Sequence, residues 1–218
     1  MILGIYGAGG LGREVYEIAK TINQRDSRWK EIVFIDDSES VNKLRDIPIY
    51  KFTEFSQNFK TKDLEVCVAV GEPAIREKLY EKLLGNQISL ATVIHPEVSI
   101  PESTTIGPGT IICKYVSITC DIEIGSNVYI HPMARIGHDA KIGNNSVISG
   151  SVDIAGNCVV GNKTFLAMNV IMKQGIRIGD STIVGISSVV HRDLPDSIIA
   201  MGNPARAMKR NEKETVFK

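Results

Sequence analysis

Two adjacent residues in the middle of the chain, His138 and Asp139, have the types and spacing of a general base and its carboxylate partner. A neutral imidazole can take up a proton near neutral pH. A carboxylate on the other ring nitrogen would fix the tautomer and stabilise the imidazolium that forms. No Ser or Cys is placed beside a base, so we expect direct transfer to an attacking amine or hydroxyl. The alternative is that His138 is a polar turn residue on the surface.

A second motif, GAGGLG at residues 7–12, contains the pattern G-x-G-x-x-G. It follows an apolar strand and opens a helical pattern, so its backbone N–H groups can bind a phosphate at a helix N-terminus. Asp36 ends the next strand, where a carboxylate suits a ribose hydroxyl. The alternative is a tight turn that binds nothing. Only about 90 residues precede the six-residue repeat described below, which suits a nucleotide diphosphate better than a dinucleotide. The nucleotide diphosphate could be part of a nucleotide-activated sugar.

These motifs need elements that position them, and residues 1–90 alternate between strand and helix patterns. Strands are predicted at ILGIYG, EIVFIDD and LEVCVAVG, and helices at LGREVYEIAKTIN and EPAIREKLYEKLLGN. The first helix has an apolar face made of Leu11, Val15, Ile18, Ala19 and Ile22. This order predicts an α/β domain with a small, parallel, Rossmann-like sheet.

From Ile94 onward the sequence has a period of six. An aliphatic residue or Met recurs without a slip at Ile94, Ile100, Ile106, Ile112, Ile118, Ile124, Ile130, Ile136, Ile142, Ile148, Ile154, Val160, Leu166, Met172, Ile178, Val184 and Val190. Glycine often follows directly, which we attribute to backbone angles barred to other residues. The period predicts a hexapeptide-repeat parallel β-helix, in which three hexads form a coil and residues eighteen apart stack. Flat outer faces favour closed cyclic assembly.

The composition argues against several classes of protein. Lys plus Arg and Asp plus Glu each number 25, which gives no electrostatic case for binding nucleic acid or an anionic membrane. No apolar run approaches the ~18 residues of a membrane span, and the first residues lack a secretory pattern, so we expect a cytoplasmic protein. Four cysteines without a CxxC pair favour buried free thiols over a disulfide or zinc site.

The half-Rossmann GAGGLG segment, the hexapeptide repeat with IGHD, and the closing SSVVHRDLPDSIIAMGNPARAM together resemble a family of bacterial sugar acyltransferases. This family includes nucleotide-aminosugar N-acetyltransferases and sialic-acid O-acetyltransferases, and the resemblance covers nearly the whole chain. It implies a left-handed β-helix, a homotrimer with active sites between neighbouring subunits, and acetyl-CoA as co-substrate. From the cysteine and histidine spacing we expect no metal. Residues 1–90 would bind the nucleotide sugar, and residues 91–218 would form the acyltransferase domain with a C-terminal tail.

The resemblance also implies roles for individual residues. His138 and Asp139 match the catalytic His followed by Asp or Glu, and the N–H of Gly156, one coil further on, would face the thioester carbonyl. Candidate acceptor contacts are Gly7, Ala8, Gly9, Gly10, Asp36, Asp37 and His131, the last at a position where relatives often have Asn. Candidate acetyl-CoA contacts are Gly156, Ala167, Met168, Gly185 and Ile186. One departure is Val147, which stands where some N-acetyltransferases of the family carry a second His.

The leading hypothesis is N-acetylation of a nucleotide-linked aminosugar, such as a 4-amino-4,6-dideoxy sugar, for bacterial surface-glycan synthesis. O-acetylation of a sialic acid or related sugar is the main alternative, because it uses the same base. A zinc hydratase is a weaker one, since His131 and His138 have no third His in coil register. A nucleotide-binding scaffold without catalysis is the fourth.

Overall fold

A computed structural model describes residues 1–38 and 42–217 of the chain. Its N-terminal part is a six-stranded sheet with strand order β3-β4-β2-β1-β5-β6, in which only the β3–β4 pair is antiparallel. The strands are β1 Ile2–Tyr6, β2 Glu31–Ile35, β3 Lys43–Leu44, β4 Ile47–Tyr50, β5 Leu64–Val68 and β6 Ser89–Leu90. The helices are α1 Gly10–Asp26, α2 Phe52–Asn58 and α3 Pro73–Gly85, with a short 3₁₀ turn at Thr61–Asp63.

The parallel, Rossmann-like sheet predicted from the sequence is confirmed. Helix α1 buries Val15, Ile18, Ala19 and Ile22, while Leu11 is only half-buried. The sequence prediction omitted β3, β4, β6 and α2. Among the described residues, no helix is long and apolar enough to cross a membrane.

The rest of the chain is a left-handed parallel β-helix made of two-residue strands on three faces. Face 1 contains Val93–Ile94, Ile111–Ile112, Tyr129–Ile130, Val147–Ile148, Phe165–Leu166 and Ile183–Val184. Face 2 contains Ser117–Ile118, Arg135–Ile136, Asp153–Ile154, Ile171–Met172 and Val189–Val190. Face 3 contains Thr105–Ile106, Glu123–Ile124, Lys141–Ile142, Val159–Val160 and Arg177–Ile178. The hairpin Ile198–Met201 and Arg206–Arg210 extends face 1.

Coil register follows the predicted eighteen-residue spacing, as in the pairs Arg135 with Asp153 and Ile136 with Ile154. From Ile112 to Val190 every hexad aliphatic points inward and is buried. The chain passes from face 1 to face 2 and then to face 3, so each coil has three corners, named here by the faces they join: 1–2, 2–3 and 3–1.

The prediction that the repeat glycines are needed for backbone angles barred to other residues was wrong. The glycines that directly follow the aliphatics do not have positive φ. Positive φ lies at another turn position, occupied mostly by Asn, Asp and Ser and twice by glycine: Gly109, Tyr115, Asp121, Asn127, Met133, Asp139, Asn145, Ser151, Asn157, Lys163, Asn169, Gly175, Ser181 and Ser187. The glycines instead lie where successive coils approach closely: a Cβ on Gly143 would be 2.6 Å from the backbone N of Asn162. Glycine is therefore required by contact between coils and not by its own φ.

Face 1 lies against the N-terminal domain. Its outward side chains, Tyr129 and Val147 among them, join one buried cluster with Leu3 of β1, Val15 of α1 and Trp29. This packing fixes the glycine-rich segment on the face 1 side of the β-helix.

Candidate active site

His138 and Asp139 lie at corner 2–3, between Arg135–Ile136 and Lys141–Ile142. The His138 Nδ1 and an Asp139 carboxylate oxygen are 2.7 Å apart, which is the contact expected for a base and its partner. Both side chains are about half exposed, so the ring can meet a ligand. Asp139 has a φ of 59°, a left-handed conformation that Asp and Asn adopt more readily than other side chains.

Gly156 lies next to the His138 ring, one coil further on. A Cβ there would be 2.5 Å from His138 Nε2 and 2.6 Å from Cε1. The Asn157 N–H donates to the His138 carbonyl at 2.8 Å, which fixes the two turns against each other. Within the described part of the chain, the Gly156 N–H itself has no hydrogen-bond acceptor. A backbone donor is thus available near the Nε2 side of the base.

Cys120 lies one coil before His138 at the same corner, where the Asp139 N–H donates to its carbonyl at 3.2 Å. Its thiol is exposed, so the prediction of four buried thiols holds only for Cys67, Cys113 and Cys158. A hydrogen bond with Asp121, together with desolvation and nearby carboxylates, raises the pKa of the Cys120 thiol. That shift disfavours the thiolate a nucleophile would need.

The glycine-rich segment has two glycines that packing demands and two that it does not. Gly7 has a φ of 115°, and a Cβ on Gly12 would be 1.8 Å from the Gly7 carbonyl oxygen. No heavy atom lies within 4 Å of a Cβ built on Gly9, and Gly10 meets only an Arg13 side-chain nitrogen at 3.8 Å. Open space at these two positions leaves the start of α1 accessible to a phosphate.

Both carboxylates after β2 have partners in the protein. Asp36 accepts the Ala8 N–H at 2.9 Å and so closes onto the glycine-rich segment. Asp37 accepts a 2.5 Å hydrogen bond from the Tyr6 hydroxyl and a 3.0 Å contact from Lys82 Nζ. Desolvation opposes ionisation of Asp37, but the hydrogen bonds from Tyr6, the Phe52 N–H and Lys82 outweigh it and lower its pKa. Asp37 is therefore a fixed negative charge at the end of β2.

A cleft of about 700 Å³ lies between the N-terminal domain and corner 1–2. We call it the acceptor cleft, after the acceptor contact predicted for His131; it also contains Ala167, Met168 and Ile186, which were predicted to contact acetyl-CoA. Its lining comprises Leu11, Glu14, Gly71, His131, Pro132, Met133, Val147, Ser149, Gly150, Ser151, Phe165, Ala167, Met168, Asn169, Ile186 and Phe217. Burial, and then the positive charge of Arg76, lower the pKa of His131 to about 4, so its ring is neutral at neutral pH. Gly185 directly precedes Ile186, and a Cβ built on it would be 3.0 Å from the Met201 Cβ.

The structure divides the predicted site residues between two corners. His138, Asp139 and Gly156 lie together at corner 2–3, whereas His131, Ala167, Met168 and Ile186 lie at corner 1–2 beside the N-terminal domain. Face 2 separates the two groups within one chain.

Three residues around the acceptor cleft had no sequence signal. Arg76 in α3 is fully buried, and Glu72 accepts the backbone N–H groups of Val216 and Phe217 at 2.9–3.0 Å. The Phe217 ring packs edge-on against Phe165, so the chain's last described residue reaches the cleft. Arg76 and Glu72 lie within the α3 helix pattern, which predicts exposure for charged residues, and only their contacts distinguish them.

Comparison with protein families gives a match for each part of the chain. Residues 3–83 match the family described as the PglD N-terminal domain, and residues 121–156 match the bacterial transferase hexapeptide family (six repeats). GDP-perosamine N-acetyltransferase of Escherichia coli O157:H7 is 30% identical over 112 residues. That alignment covers 51% of this chain and 50% of the relative, so the match spans about half of the relative's length.

Solved structures match over nearly the whole chain. PerB from Caulobacter crescentus, in complex with CoA and GDP-perosamine, is 28% identical with a TM-score of 0.87, covering 95% of this chain and 97% of that chain. The acetyltransferase domain of PglB from Neisseria gonorrhoeae, in complex with acetyl coenzyme A, is 25% identical with a TM-score of 0.88, covering 95% and 98%. WeeI from Acinetobacter baumannii is 26% identical with a TM-score of 0.87, covering 95% and 100%.

Proposed function

We propose that this chain, a sugar acyltransferase that joins an N-terminal Rossmann-like domain to a left-handed β-helix, transfers an acetyl group from acetyl-CoA to the amino group of a nucleotide-linked aminosugar. The observation that carries this proposal is the His138 ring, which is hydrogen-bonded to Asp139 at 2.7 Å and packed against Gly156. The CoA and GDP-perosamine bound to PerB support both substrate classes. We assign the nucleotide sugar to residues 1–90 and acetyl transfer to residues 91–218.

In this mechanism the sugar amine attacks the thioester carbonyl directly. His138 takes the proton that the amine loses, and Asp139 holds the ring in the required tautomer. The free N–H of Gly156 donates to the carbonyl oxygen as it becomes negative. The C–S bond then breaks, and CoA leaves as the thiol after taking a proton from the imidazolium. The raised pKa of Cys120 supports transfer without an acyl-enzyme.

A homotrimer is part of the proposal, because His138 and the acceptor cleft lie at different corners of one chain. In a cyclic trimer, corner 2–3 of one subunit would face the acceptor cleft of the next. We place the reaction in the cytoplasm, the compartment that supplies acetyl-CoA and nucleotide-activated sugars, as a step in surface-glycan synthesis.

The test of the reaction is release of CoA thiol with a panel of UDP-, GDP- and dTDP-aminosugars, the matching hydroxyl sugars, and free sialic acid. We expect turnover with one of the nucleotide aminosugars and its loss in His138→Asn. His191→Asn is the matched control, since His191 is an exposed turn residue at the end of the β-helix. Turnover with sialic acid alone would replace this proposal by O-acetylation, and full activity of His138→Asn would remove the assigned base.

The test of the shared site is subunit mixing. Gly9→Asp should block the phosphate site without a clash, and His138→Asn should remove the base, so each variant alone is inactive. In mixed trimers, about one quarter of sites between subunits would combine an intact base with an intact glycine-rich segment. Recovery of about a quarter of the activity supports the intersubunit site, whereas no recovery from confirmed mixed trimers contradicts it.

A further inference from the structure

Arg76 of α3 is a fully buried cation with only neutral partners among the described residues. Its guanidinium donates to the carbonyls of Val68 at 2.6 Å and Val70 at 3.0 Å, next to the end of β5. It also donates to the Asn127 carbonyl at 2.6 and 3.0 Å and to the Asn127 side chain at 2.9 Å. A single side chain thus ties the N-terminal domain to a β-helix turn.

A buried charge without a counter-ion is costly, and a neutral side chain could make some of the same hydrogen bonds. Desolvation lowers the pKa of Arg76 to about 10, so the group remains protonated at neutral pH. Its positive charge therefore needs an explanation beyond joining two domains.

An aromatic ring connects Arg76 to the acceptor cleft. The Arg76 guanidinium carbon is 5.6 Å from the centroid of the buried Tyr129 ring. The Tyr129 and His131 ring centroids are 4.4 Å apart, with an angle of 65° between their planes. His131 in turn lines the cleft. Arg76 is therefore placed to fix both rings and to act on His131 electrostatically.

The other ionisable groups around these rings do not repeat this effect. Glu14 on α1 lines the same cleft, and its negative charge would favour a protonated His131. Tyr129 and Cys113 are neutral at neutral pH because burial raises the pKa of both. Burial of His131 and then the charge of Arg76 both favour the neutral ring.

We propose that Arg76 is a positioning residue for the acceptor cleft: it holds Tyr129 and His131 in place and keeps His131 uncharged, so that the cleft admits a cationic amine. The inference rests on the proposed function, since an aminosugar can reach the enzyme as an ammonium ion, which loses one proton to solvent before the free amine attacks. A neutral imidazole accepts a hydrogen bond from an ammonium, whereas an imidazolium has no acceptor and repels it.

The first measurement is the titration of His131 by NMR in the unliganded protein, assigned with His131→Asn. We expect a pKa near 4 in the wild type. In Arg76→Gln the pKa should rise from that value but stay below the ordinary ~6.5, because burial is the larger cause of the shift and remains, whereas Arg76→Lys, which keeps the charge, should keep it low. A wild-type His131 that titrates near 6.5, or an unchanged pKa in Arg76→Gln, overturns the proposal. The wild-type titration decides even if Arg76→Gln does not fold.

The second measurement is binding of the nucleotide aminosugar by calorimetry at pH 7.5 and 5.0. The wild-type Kd should change little, because His131 stays about 90% neutral at pH 5.0 with a pKa near 4. In Arg76→Gln the Kd at pH 5.0 should rise about twofold if the His131 pKa reaches ~5, and about elevenfold if it reaches ~6. Adding His131→Asn should abolish this rise, because Asn is neutral at both pH values.

The control ligand is the same nucleotide sugar with a hydroxyl in place of the amine. Its Kd should not follow the charge of His131, so an equal rise for both ligands in Arg76→Gln would indicate a merely structural role and contradict the proposal. Failure of every nucleotide aminosugar to bind would remove the proposed function and the ammonium contact with it. An unchanged His131 titration in Arg76→Gln would remove the role of Arg76 alone.

Discussion

Gly156→Ala should separate the position of the catalytic base from the stability of the fold. The added Cβ would lie 2.5, 2.6 and 2.9 Å from three atoms of the His138 ring, and these are its three nearest contacts. Gly156 does not have a positive φ, so its backbone accepts alanine without strain. The Gly156 N–H also remains in the variant. The substitution therefore acts on the His138 ring.

The size of the effect follows from the contact distances. An ordinary contact needs about 3.4 Å, so the His138 ring must retreat by roughly 0.9 Å from its present 2.5 Å. The half-exposed His138 ring can move into solvent, but its 2.7 Å hydrogen bond to Asp139 is then strained. A misplacement of about 1 Å costs on the order of 10²-fold in rate, or about 2.7 kcal/mol. The free energy of unfolding should change by less than about 1 kcal/mol.

The assay is kcat for CoA release together with thermal unfolding of the same preparation. Gly143→Ala is the matched control, because its Cβ would be 2.6 Å from a backbone nitrogen at another corner, so the Tm should fall. In the His138→Asn background, Gly156→Ala should cause little further loss, since the ring it displaces is gone. Wild-type kcat in Gly156→Ala, with the protein folded, would refute the assignment of corner 2–3 as the chemical centre.

Three further predictions concern residues described above. Gly9→Ala should leave the Tm unchanged and raise the KM for the nucleotide sugar. Gly12→Ala should give unfolded or insoluble protein, because its Cβ would be 1.8 Å from the Gly7 carbonyl oxygen. Equal Tm values for the two variants would contradict the packing argument. Asp139→Asn should keep the Tm, because Asn tolerates a φ of 59°, while kcat falls by about 10²-fold or more as the imidazolium loses its carboxylate; an unchanged kcat would remove Asp139 from the mechanism. The pKa of Asp37 is lowered on folding, so its charge stabilises the fold above the ordinary value of 3.8, and this contribution is lost as pH falls through the lower folded value. Asp37→Asn should therefore lower the Tm at pH 7, and the deficit should shrink as the pH falls below 3.8. A deficit that stays constant in acid would point to another cause.

The β-helix could be predicted from sequence because each coil repeats one packing requirement. An inward aliphatic every sixth residue from Ile94 to Val190 fixes three faces, and the eighteen-residue stack that places Gly156 over His138 follows from it. The short strands β3 and β4 and the helix α2 escaped prediction, because two- to seven-residue elements carry too few positions for a period to be recognised.

The site was less predictable because its parts depend on contacts between distant segments. Periodicity places His131 and His138 in successive turns of one coil, but only the packing of face 1 on the N-terminal domain puts one beside the acceptor cleft and the other away from it. Arg76 belongs to α3, and its partner Asn127 is 51 residues away in the sequence. No local pattern reports such a pair, and the assigned roles of these residues remain predictions.

The coil register of the β-helix also fixes distances along its axis. Each coil advances the chain by about 4.8 Å, and His131 and His138 belong to the same coil, so they lie at nearly one height along the rod. Removing one coil of eighteen residues between Ile94 and Tyr129 would leave the remaining corners and inward residues in register, yet shift both histidines by about 4.8 Å relative to the glycine-rich segment. The number of coils before His138 would then set how long an acceptor must be to reach from the glycine-rich segment, where its phosphate binds, to the base. A relative with one coil more or fewer would select a longer or shorter acceptor while keeping the same residues at its corners.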